Sequence, residues 1–284
     1  LKETPIKLVK PIKYPGGKRY LAPKIIKLFP PRRSDEHPEG YVSYVEPYAG
    51  GLSVLLANDP DGISEVVNDK NQGLMNFWTV LRDHFPAFRH KVEMTPFAQS
   101  FWAAADSMIG VPPSDPILWA WAYFVHIRQS LAGRGKDFAS LTGTRIRGGM
   151  NEQASAWWNA IEGLEAVHDR LKRVVLLCED AYEVIRKMNY RQTLFYLDPP
   201  YLPETRTSTG EYGRFEMSRD DHVSLLNLLG TIKGRFALSG YRSDVYDHFA
   251  ECYKWNRVDF DVPNNASHGD TKERRTESVW RNYE

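Results

Sequence analysis

Several things are scarce in this chain, and each scarcity removes a class of function. There are only two cysteines in 284 residues, Cys178 and Cys252. They are too few and too far apart for a disulfide scaffold or a metal-ligand pattern, and they point to a reducing compartment. No apolar run approaches the roughly 20 residues that a bilayer-spanning helix needs. The stretch Leu1 to Lys13 alternates lysine with apolar residues and lacks the apolar core of a secretory signal. The cytoplasm is therefore the expected location, with no membrane partner. His84, His126 and His168 fall in helical patterns and no pair has metal spacing, so no metal is expected. A surplus of one charge is also missing. The 37 lysines and arginines face 36 acids, a net charge of +1. Binding to a polyanion would need a local patch rather than overall basicity. One candidate exists: His126, Arg128, Arg134, Lys136, Arg145 and Arg147 lie close in sequence with Asp137 the only acid among them.

What is present reads as an α/β protein. Hydrophobic residues make up 42% and charged residues 26% of the chain, ordinary for a globular domain. Short apolar runs at Tyr41–Val45, Ile63–Val67, Val174–Leu177, Leu194–Leu197 and Arg235–Ser239 are each followed by a polar or Gly/Pro break and a helical pattern. That alternation predicts a mostly parallel, doubly wound sheet. Two later runs, Trp255–Phe260 and Ser278–Asn282, predict an antiparallel pair at a sheet edge. Helices are expected over Arg19–Phe29 and Leu52–Ala57, and after Ser218, where Ser218 and Asp221 form a capping box. Between Leu74 and Arg173 the alternation stops. Six tryptophans (Trp78, Trp102, Trp119, Trp121, Trp157 and Trp158) occur there at helical spacing, more as core than as stacking platforms. The expected organisation is a domain made of residues 1–73 and 174–284 with a helical insertion, 74–173, whose loop Ala132–Asn151 is basic.

The most informative stretch is Asp198-Pro199-Pro200-Tyr201, which ends the apolar run Leu194–Leu197. Two prolines stop the strand and fix the backbone. A carboxylate, a restrained carbonyl and an aromatic ring leave the sheet edge together, a set suited to a flat ring bearing an amino group. The amino group of adenine is a poor nucleophile because its lone pair is delocalised. Two acceptors on its N–H groups, Asp198 and the Pro199 carbonyl, would draw the nitrogen toward tetrahedral geometry and absorb developing positive charge. Tyr201 can stack on the base. A turn closing a strand would explain the tetrapeptide equally well, so its neighbours must decide.

Those neighbours are two glycine-bearing turns and a series of acids. Glu46-Pro47-Tyr48-Ala49-Gly50-Gly51 sits at the first strand-to-helix turn, where adjacent glycines permit close backbone approach. Asp69 ends the next strand, where an acid commonly binds ribose hydroxyls. In open α/β sheets ligands gather at the carboxyl ends of the strands; Glu46, Asp69, Asp180 and Asp198 all follow such ends. The leader Tyr14-Pro15-Gly16-Gly17-Lys18 superficially matches a phosphate loop. It fails that test, having Ile12 and Arg19 where glycine and Ser or Thr are required.

Together these motifs resemble the Dam-type (D12 class) N6-adenine-specific DNA methyltransferases over nearly the whole chain: the leader Lys13–Lys18, the turn Glu46–Gly51, then D-P-P-Y after a target-recognition insertion. The resemblance implies a Rossmann-like methyltransferase fold, S-adenosylmethionine as cofactor with S-adenosylhomocysteine as product, and one in-line displacement without metal or covalent intermediate. By the same resemblance Tyr14, Gly16, Gly17 and Lys18 contact the cofactor and Glu46 to Gly51 cradle its methionine part. Asp69 holds its ribose, Asp180 lies near its adenine, and Asp198, Pro199, Pro200 and Tyr201 grip a flipped-out target adenine. Thr205–Phe215 resembles a loop closing over the target strand, and Arg275, Glu277, Trp280 and Asn282-Tyr283 the closing strand. Leu52 departs from the family, which often has glycine there; Gly51 is expected to take over the permissive conformation. Double-stranded DNA is the implied partner, with Arg128, Arg134, Lys136, Arg145, Arg147, Thr205 and Arg206 the candidate contacts. RNA adenine-N6 or DNA cytosine-N4 methylation, and non-catalytic DNA binding, are the alternatives. Cytosine-N4 enzymes more often carry serine where Asp198 stands. A bacterial or phage-infected cell is implied, with a companion restriction endonuclease and dimerisation on DNA left open and a monomer expected.

Overall fold

A computed structural model describes residues 10–139, 143–206, 210–263 and 274–284. The lysine-alternating stretch up to Val9, residues 140–142 of the basic loop and Thr207, Ser208 and Thr209 of the segment after D-P-P-Y lie outside the described residues. Among those described, the strands are β1 (Ser43–Glu46), β2 (Ser64–Asn68), β3 (Ile146–Arg147), β4 (Met150–Asn151), β5 (Val174–Leu177), β6 (Thr193–Leu197), β7 (Arg235–Gly240), β8 (Asn256–Pro263) and β9 (Arg274–Arg281). The helices are α1 (Ala22–Ile26), α2 (Gln72–Asp83), α3 (Phe85–Glu93), α4 (Gln99–Ile109), α5 (Pro116–Arg128), α6 (Glu152–Glu162), α7 (Leu164–Leu171), α8 (Ala181–Lys187), α9 (Arg219–Leu229) and α10 (Asp244–Tyr253). Two compact units emerge. One comprises the chain up to Pro23, Gly50–Asp59 and Asn71–Cys178; the other comprises Lys24–Ala49, Pro60–Lys70 and Glu179–Glu284.

In the second unit six strands lie in the order β2-β1-β6-β7-β9-β8. The pairs β1·β2, β1·β6 and β6·β7 are parallel, and β9 runs antiparallel to both β7 and β8. This is the expected mostly parallel α/β sheet with an antiparallel edge. The sequences explain the positions. Central β6, Thr-Leu-Phe-Tyr-Leu, is buried at every residue, as a strand covered on both faces must be. Edge strand β8 alternates exposed and half-buried residues from Arg257 to Val262. The capping box also forms: the Asp221 N–H donates to Ser218 Oγ at 3.2 Å and the Ser218 N–H to Asp221 Oδ2 at 2.8 Å, starting α9 where the sequence predicts.

The first unit packs its helices around aromatic rings. Phe77 stacks on Phe124 with centroids 5.7 Å apart, and Phe124 lies 5.2 Å from Trp157. Trp78 and Trp157 are fully buried and Trp121 nearly so, whereas Trp158 stays exposed. Helix α5 is apolar around its whole circumference (Ile117-Leu118-Trp119-Ala120-Trp121-Ala122-Tyr123-Phe124-Val125), which is the pattern of a buried helix.

Two helix expectations need correction. The one over Arg19–Phe29 shrinks to Ala22–Ile26. Its start is delayed by tight turns onto the Lys18 carbonyl. At its other end Phe29 precedes Pro30, whose ring disfavours the helical conformation of the residue before it. The one over Leu52–Ala57 is a single 3₁₀ turn, Leu55–Ala57. The cause is backbone geometry: Gly50 has φ +46° and Leu52 has φ +54°, so no helical phase survives that corner. The permissive conformation falls to Gly50 and to Leu52 itself, not to Gly51. A left-handed leucine costs on the order of 1–2 kcal/mol. Complete burial of the Leu52 side chain offsets that, since burying such a side chain contributes roughly 1.5–3 kcal/mol.

Candidate active site

Strands β1, β2 and β6 are parallel, so in the second unit their carboxyl ends share one edge. Glu46 closes β1, Asp69 follows β2 and Asp198 follows β6. Glu46 is fixed by a neighbour. Residues i and i+2 of a strand share a face, and on β1 this brings the Tyr44 hydroxyl onto Glu46 Oε1, donating at 2.6 Å inside the core. Burial first, and the Glu46 charge second, hold the Tyr44 hydroxyl well above the usual tyrosine range, so it stays a donor. The same spacing on β6 puts Tyr196 beside Asp198. Tyr196 shares a hydrogen bond of 2.9 Å with Ser239 Oγ on β7. Its own pKa is pushed well up by burial and then by the charges of Asp198, Glu46 and Glu277. The charges of carboxylates from β1, β9 and the residue after β6 thus all act on one buried hydroxyl.

Asn68, the last residue of β2, is fully buried. Its amide donates to the Pro47 carbonyl at 3.0 Å and the Glu179 carbonyl at 3.1 Å, and accepts from the Glu179 N–H at 2.8 Å. The Ala49 N–H reaches the Asn68 carbonyl at 2.8 Å. Asn68 therefore ties the Pro47–Ala49 turn, the Asp69 corner and the loop before Asp180 together. Asp180 is the N-cap of α8, accepting from the Tyr182 N–H at 2.9 Å, and its other oxygen lies 3.4 Å from Lys70. Tyr48 turns its hydroxyl inward. Burial raises its pKa well above the usual range, and among the described residues that oxygen has no hydrogen-bond partner.

Pro199 and Pro200 are buried, while Asp198 stays half-buried. The Tyr201 ring is edge-on to Tyr241, centroids 4.8 Å apart at 77°, and its hydroxyl donates to Glu277 Oε2 at 3.3 Å. Arg275 lies over the other ring, 5.8 Å from the Tyr241 centroid. Arg275 and Glu277, expected on the closing strand, therefore gather around Tyr201. Thr205 bonds back to the Leu202 carbonyl at 2.8 Å. Arg206 is turned inward: it pairs with Glu216, whose carboxylate also accepts from the N–H groups of Gly210 at 3.0 Å and Tyr212 at 3.1 Å.

The leader residues belong to the first unit. Tyr14 to Gly17 form a turn closed by the Gly17 N–H on the Tyr14 carbonyl at 3.2 Å. Pro15 sets its first corner, and Gly16, at φ +69°, supplies the left-handed second one. The Tyr14 ring rests on the two glycines of the second turn. A side chain on Gly50 would meet ring carbons at 3.0 Å, and one on Gly51 would meet Tyr14 Cβ at 3.0 Å. Here the close approach that glycine permits is made by the leader tyrosine. Trp78 Nε1 adds a hydrogen bond of 3.2 Å to the Gly50 carbonyl. Lys18 is buried, with Nζ donating to the Gly16 carbonyl at 2.8 Å.

The basic set of the first unit divides. Arg134, Lys136, Arg145 and Arg147 are exposed. Arg147 stands beside exposed Ile146 on the hairpin β3·β4, whose turn uses Gly148 and Gly149 at φ +58° and +77°. Arg128 instead donates to the Ala156 carbonyl, and burial lowers its pKa to about 10. His126 is buried, 3.2 Å from Asp106 and stacked on Trp102, with burial lowering its pKa against the opposing Asp106 charge. It is removed from the surface patch.

Tyr44, Asn68, Tyr196, Ser239 and Tyr241 were not singled out by sequence. The i, i+2 spacing of Tyr44 to Glu46 and of Tyr196 to Asp198 was an available signal; no local pattern marks Asn68 or Tyr241. Among the described residues no group of three or more His, Cys, Asp or Glu could hold a metal ion, and no helix is long and apolar enough to cross a membrane.

The chain is 24% identical over 277 residues to the Type II methyltransferase M.MjaIII of Methanocaldococcus jannaschii, covering 88% of this chain and 91% of that protein. The sequence pattern of the D12 class N6 adenine-specific DNA methyltransferases matches residues 14–106 and 147–260, which include the leader, the Glu46–Gly51 turn and D-P-P-Y. With well over half of its length matched and both turns and the acid series on the page, the chain belongs to the D12 class N6 adenine-specific DNA methyltransferase family.

Proposed function

We propose that the protein transfers a methyl group from S-adenosylmethionine to N6 of an adenine turned out of double-stranded DNA. The observation that carries the reading is the half-buried Asp198 carboxylate, which leaves the fully buried strand β6 directly into two buried prolines. It shares a strand-end edge with Glu46 and Asp69.

The donor set fits the cofactor chemically. Asp69 suits the ribose diol, and the Glu46–Gly51 turn, with Glu46 clamped by Tyr44, suits the methionine part. Asn68 holds the Pro47–Ala49 part of that turn in place from within the core. Tyr14, Gly16, Gly17 and Lys18 are the leader contacts, and Asp180 the residue toward the cofactor adenine. When bound, the cofactor supplies an electrophilic methyl group on a positively charged sulfur, so no metal is required. Asp198 accepts one N–H of the target amino group and the Pro199 carbonyl accepts the other. Pro200 restrains that carbonyl before reaction, which is orientation, and Asp198 balances the charge that grows on nitrogen. Tyr201, braced by Tyr241 and Glu277, borders the base.

Turning a base out of a duplex costs a few kcal/mol, which phosphate contacts offset. Exposed Arg134, Lys136, Arg145 and Arg147 are the proposed contacts, on a target-recognition insertion spanning 74–173. Arg128, Thr205 and Arg206 have their polar groups bonded within the protein and are proposed to act through the shape of their own segments rather than by direct contact. The enzyme works in the cytoplasm as a monomer. The test is incubation with methyl-labelled S-adenosylmethionine and duplex DNA, single strands or transcripts, followed by digestion to nucleosides. N6-methyladenine from duplex DNA supports the reading. N4-methylcytosine, product from transcripts alone, or no product at all would each replace it.

A further inference from the structure

We propose that Trp78, on α2 of the first unit, is a positioning residue for the cofactor turn. Its indole N–H holds the Gly50 carbonyl, and so keeps the left-handed corner at Gly50 and Leu52 in the shape that receives the cofactor. The inference rests on the function proposed above.

Asn71 caps α2, its side chain accepting from the Leu74 N–H at 3.2 Å. The cap sets where the helix begins, and Leu74, Trp78 and Leu81 then fall on one face at i, i+4 and i+7. All three are completely buried. Trp78 Nε1 donates to the Gly50 carbonyl at 3.2 Å. The Tyr14 ring packs on the same glycine, where an added side chain would meet it at 3.0 Å. A second donor, Arg170 Nη2 of α7, holds the Leu55 carbonyl at 3.1 Å. Two helices of the same unit thus grip the backbone of one short segment, the one in which Gly50 has φ +46° and Leu52 φ +54°.

A buried tryptophan usually finds an acceptor for its N–H, so the bond alone is ordinary. The choice of acceptor is informative. Trp157 is buried in the same aromatic core, linked to Trp78 through Phe77 and Phe124. It donates to the Thr95 carbonyl at 2.8 Å, which belongs to no motif. Trp78 instead reaches across 28 residues to the turn. The indole is a donor with no acceptor, which suits a carbonyl. A left-handed leucine is disfavoured, and such a corner persists only while its surroundings hold it. Loosening it would move the backbone that the proposed function sets against the methionine part of the cofactor.

The test compares Trp78→Phe and Trp157→Phe with the wild type. Each replacement keeps an aromatic ring and removes one indole N–H from the same core. The readouts are S-adenosylmethionine affinity by calorimetry, kcat on duplex DNA at saturating cofactor, and Tm. Trp78→Phe is expected to weaken cofactor binding about 3- to 10-fold, the equilibrium equivalent of one neutral hydrogen bond, with kcat within about twofold of wild type. Trp157→Phe should lower Tm at least as much and leave the affinity unchanged. A change below about threefold in Trp78→Phe overturns the proposal. So does an equal loss of affinity in both variants, which would make the role one of packing alone. Should Trp78→Phe not fold, the wild type decides. Its Trp78 indole N–H resonance should shift when S-adenosylhomocysteine is added while that of Trp157 stays, and an unmoved Trp78 overturns the proposal. A wild type that binds no S-adenosylmethionine defeats the proposed function instead, and amide exchange then tests this point separately. The Leu56 N–H, bonded to the Leu52 carbonyl at 3.0 Å, should exchange faster in Trp78→Phe than in Trp157→Phe; equal rates reject the geometry.

Discussion

The side chain of Asn68 meets the backbone of Glu179 twice, accepting from its N–H at 2.8 Å and donating to its carbonyl at 3.1 Å, across 111 residues of sequence. The same amide reaches Pro47. One buried side chain thus does the work of a short ladder between two strand ends. Removing it strands a backbone donor and two acceptors, and each unsatisfied buried group costs about 1–3 kcal/mol. Water reaches part of Glu179, so Asn68→Ala is expected to destabilise by about 2–3 kcal/mol in urea unfolding. Asn68→Asp should do no better, because it turns a carboxylate toward two carbonyls. A change below about 0.5 kcal/mol, the usual surface range, would show that the staple carries no weight.

Asp198→Ala should leave the fold intact, since the side chain is half-buried at the end of its strand. Loss of an electrostatic stabiliser lowers the rate about 10²–10³-fold. Methyl transfer under single-turnover conditions, with circular dichroism as the control, is the measurement. Turnover equal to wild type in a folded variant would remove Asp198 from the chemistry.

Tyr201 has a ring function and a hydroxyl function that can be separated. Tyr201→Phe loses the 3.3 Å bond to Glu277 and keeps the ring, and Glu277→Gln should match it, each changing target engagement by less than tenfold. Tyr201→Ala also loses the ring. Base–aromatic stacking is worth about 1–3 kcal/mol in single-strand binders, so its DNA KM should rise well beyond that of Phe while cofactor affinity holds. Equal effects of Phe and Ala would deny the ring any contact with the base.

DNA binding should weaken steeply with salt, and the exposed arginines should account for it. Each phosphate contact contributes about −0.9 to the slope of log K against log salt. Arg147→Gln should therefore flatten the slope by about one contact in an anisotropy titration. Arg206→Gln should leave the slope unchanged, since that guanidinium is paired with Glu216, and should instead loosen the turn around Gly210 and Tyr212. The reverse pattern would exchange their roles.

His222, completely buried in α9 with Nδ1 2.9 Å from the Tyr246 hydroxyl, predicts a pH dependence of stability. Burial lowers its pKa to about 4 in the folded protein, opposed by Pro200, Asp221 and Glu204, against about 6.5 when unfolded. Below pH 6.5 the unfolded chain binds a proton that the folded one refuses. The stabilising contribution is therefore complete above about pH 6.5 and is lost as the pH falls toward 4. Carboxylates titrate in the same range, so the variant is the reference. Between pH 7 and 5 the wild type should lose about 2 kcal/mol more than His222→Gln. Parallel curves would place the ring in contact with solvent.

Much of the fold could be read locally. Runs such as Leu194–Leu197 are short, apolar and bounded by breakers, so they announce buried strands whatever surrounds them; β5, β6 and β7 formed where their sequences predicted. The capping box before α9 is likewise a property of four consecutive residues. The misses occur where distant parts intervene. Leu52–Ala57 has helical composition, yet the corner at Gly50 and Leu52 takes left-handed backbone, and complete burial of the Leu52 side chain offsets the strain. Arg128 and Arg206 have the composition of DNA contacts, yet Ala156 and Glu216 take their guanidinium groups.

By itself the sequence determined the strand segments, the acids that follow them, the glycine turns and the D-P-P-Y corner, because each is encoded within a few consecutive residues by alternation, proline geometry and capping. Only the tertiary structure decided which side chains meet around those strand ends: Asn68 on Glu179, Tyr196 on Ser239, Tyr201 on Glu277. Those pairs are set by the order in which strands lie side by side, and strand order comes from burial summed over the whole sheet, a quantity that no short window of sequence contains.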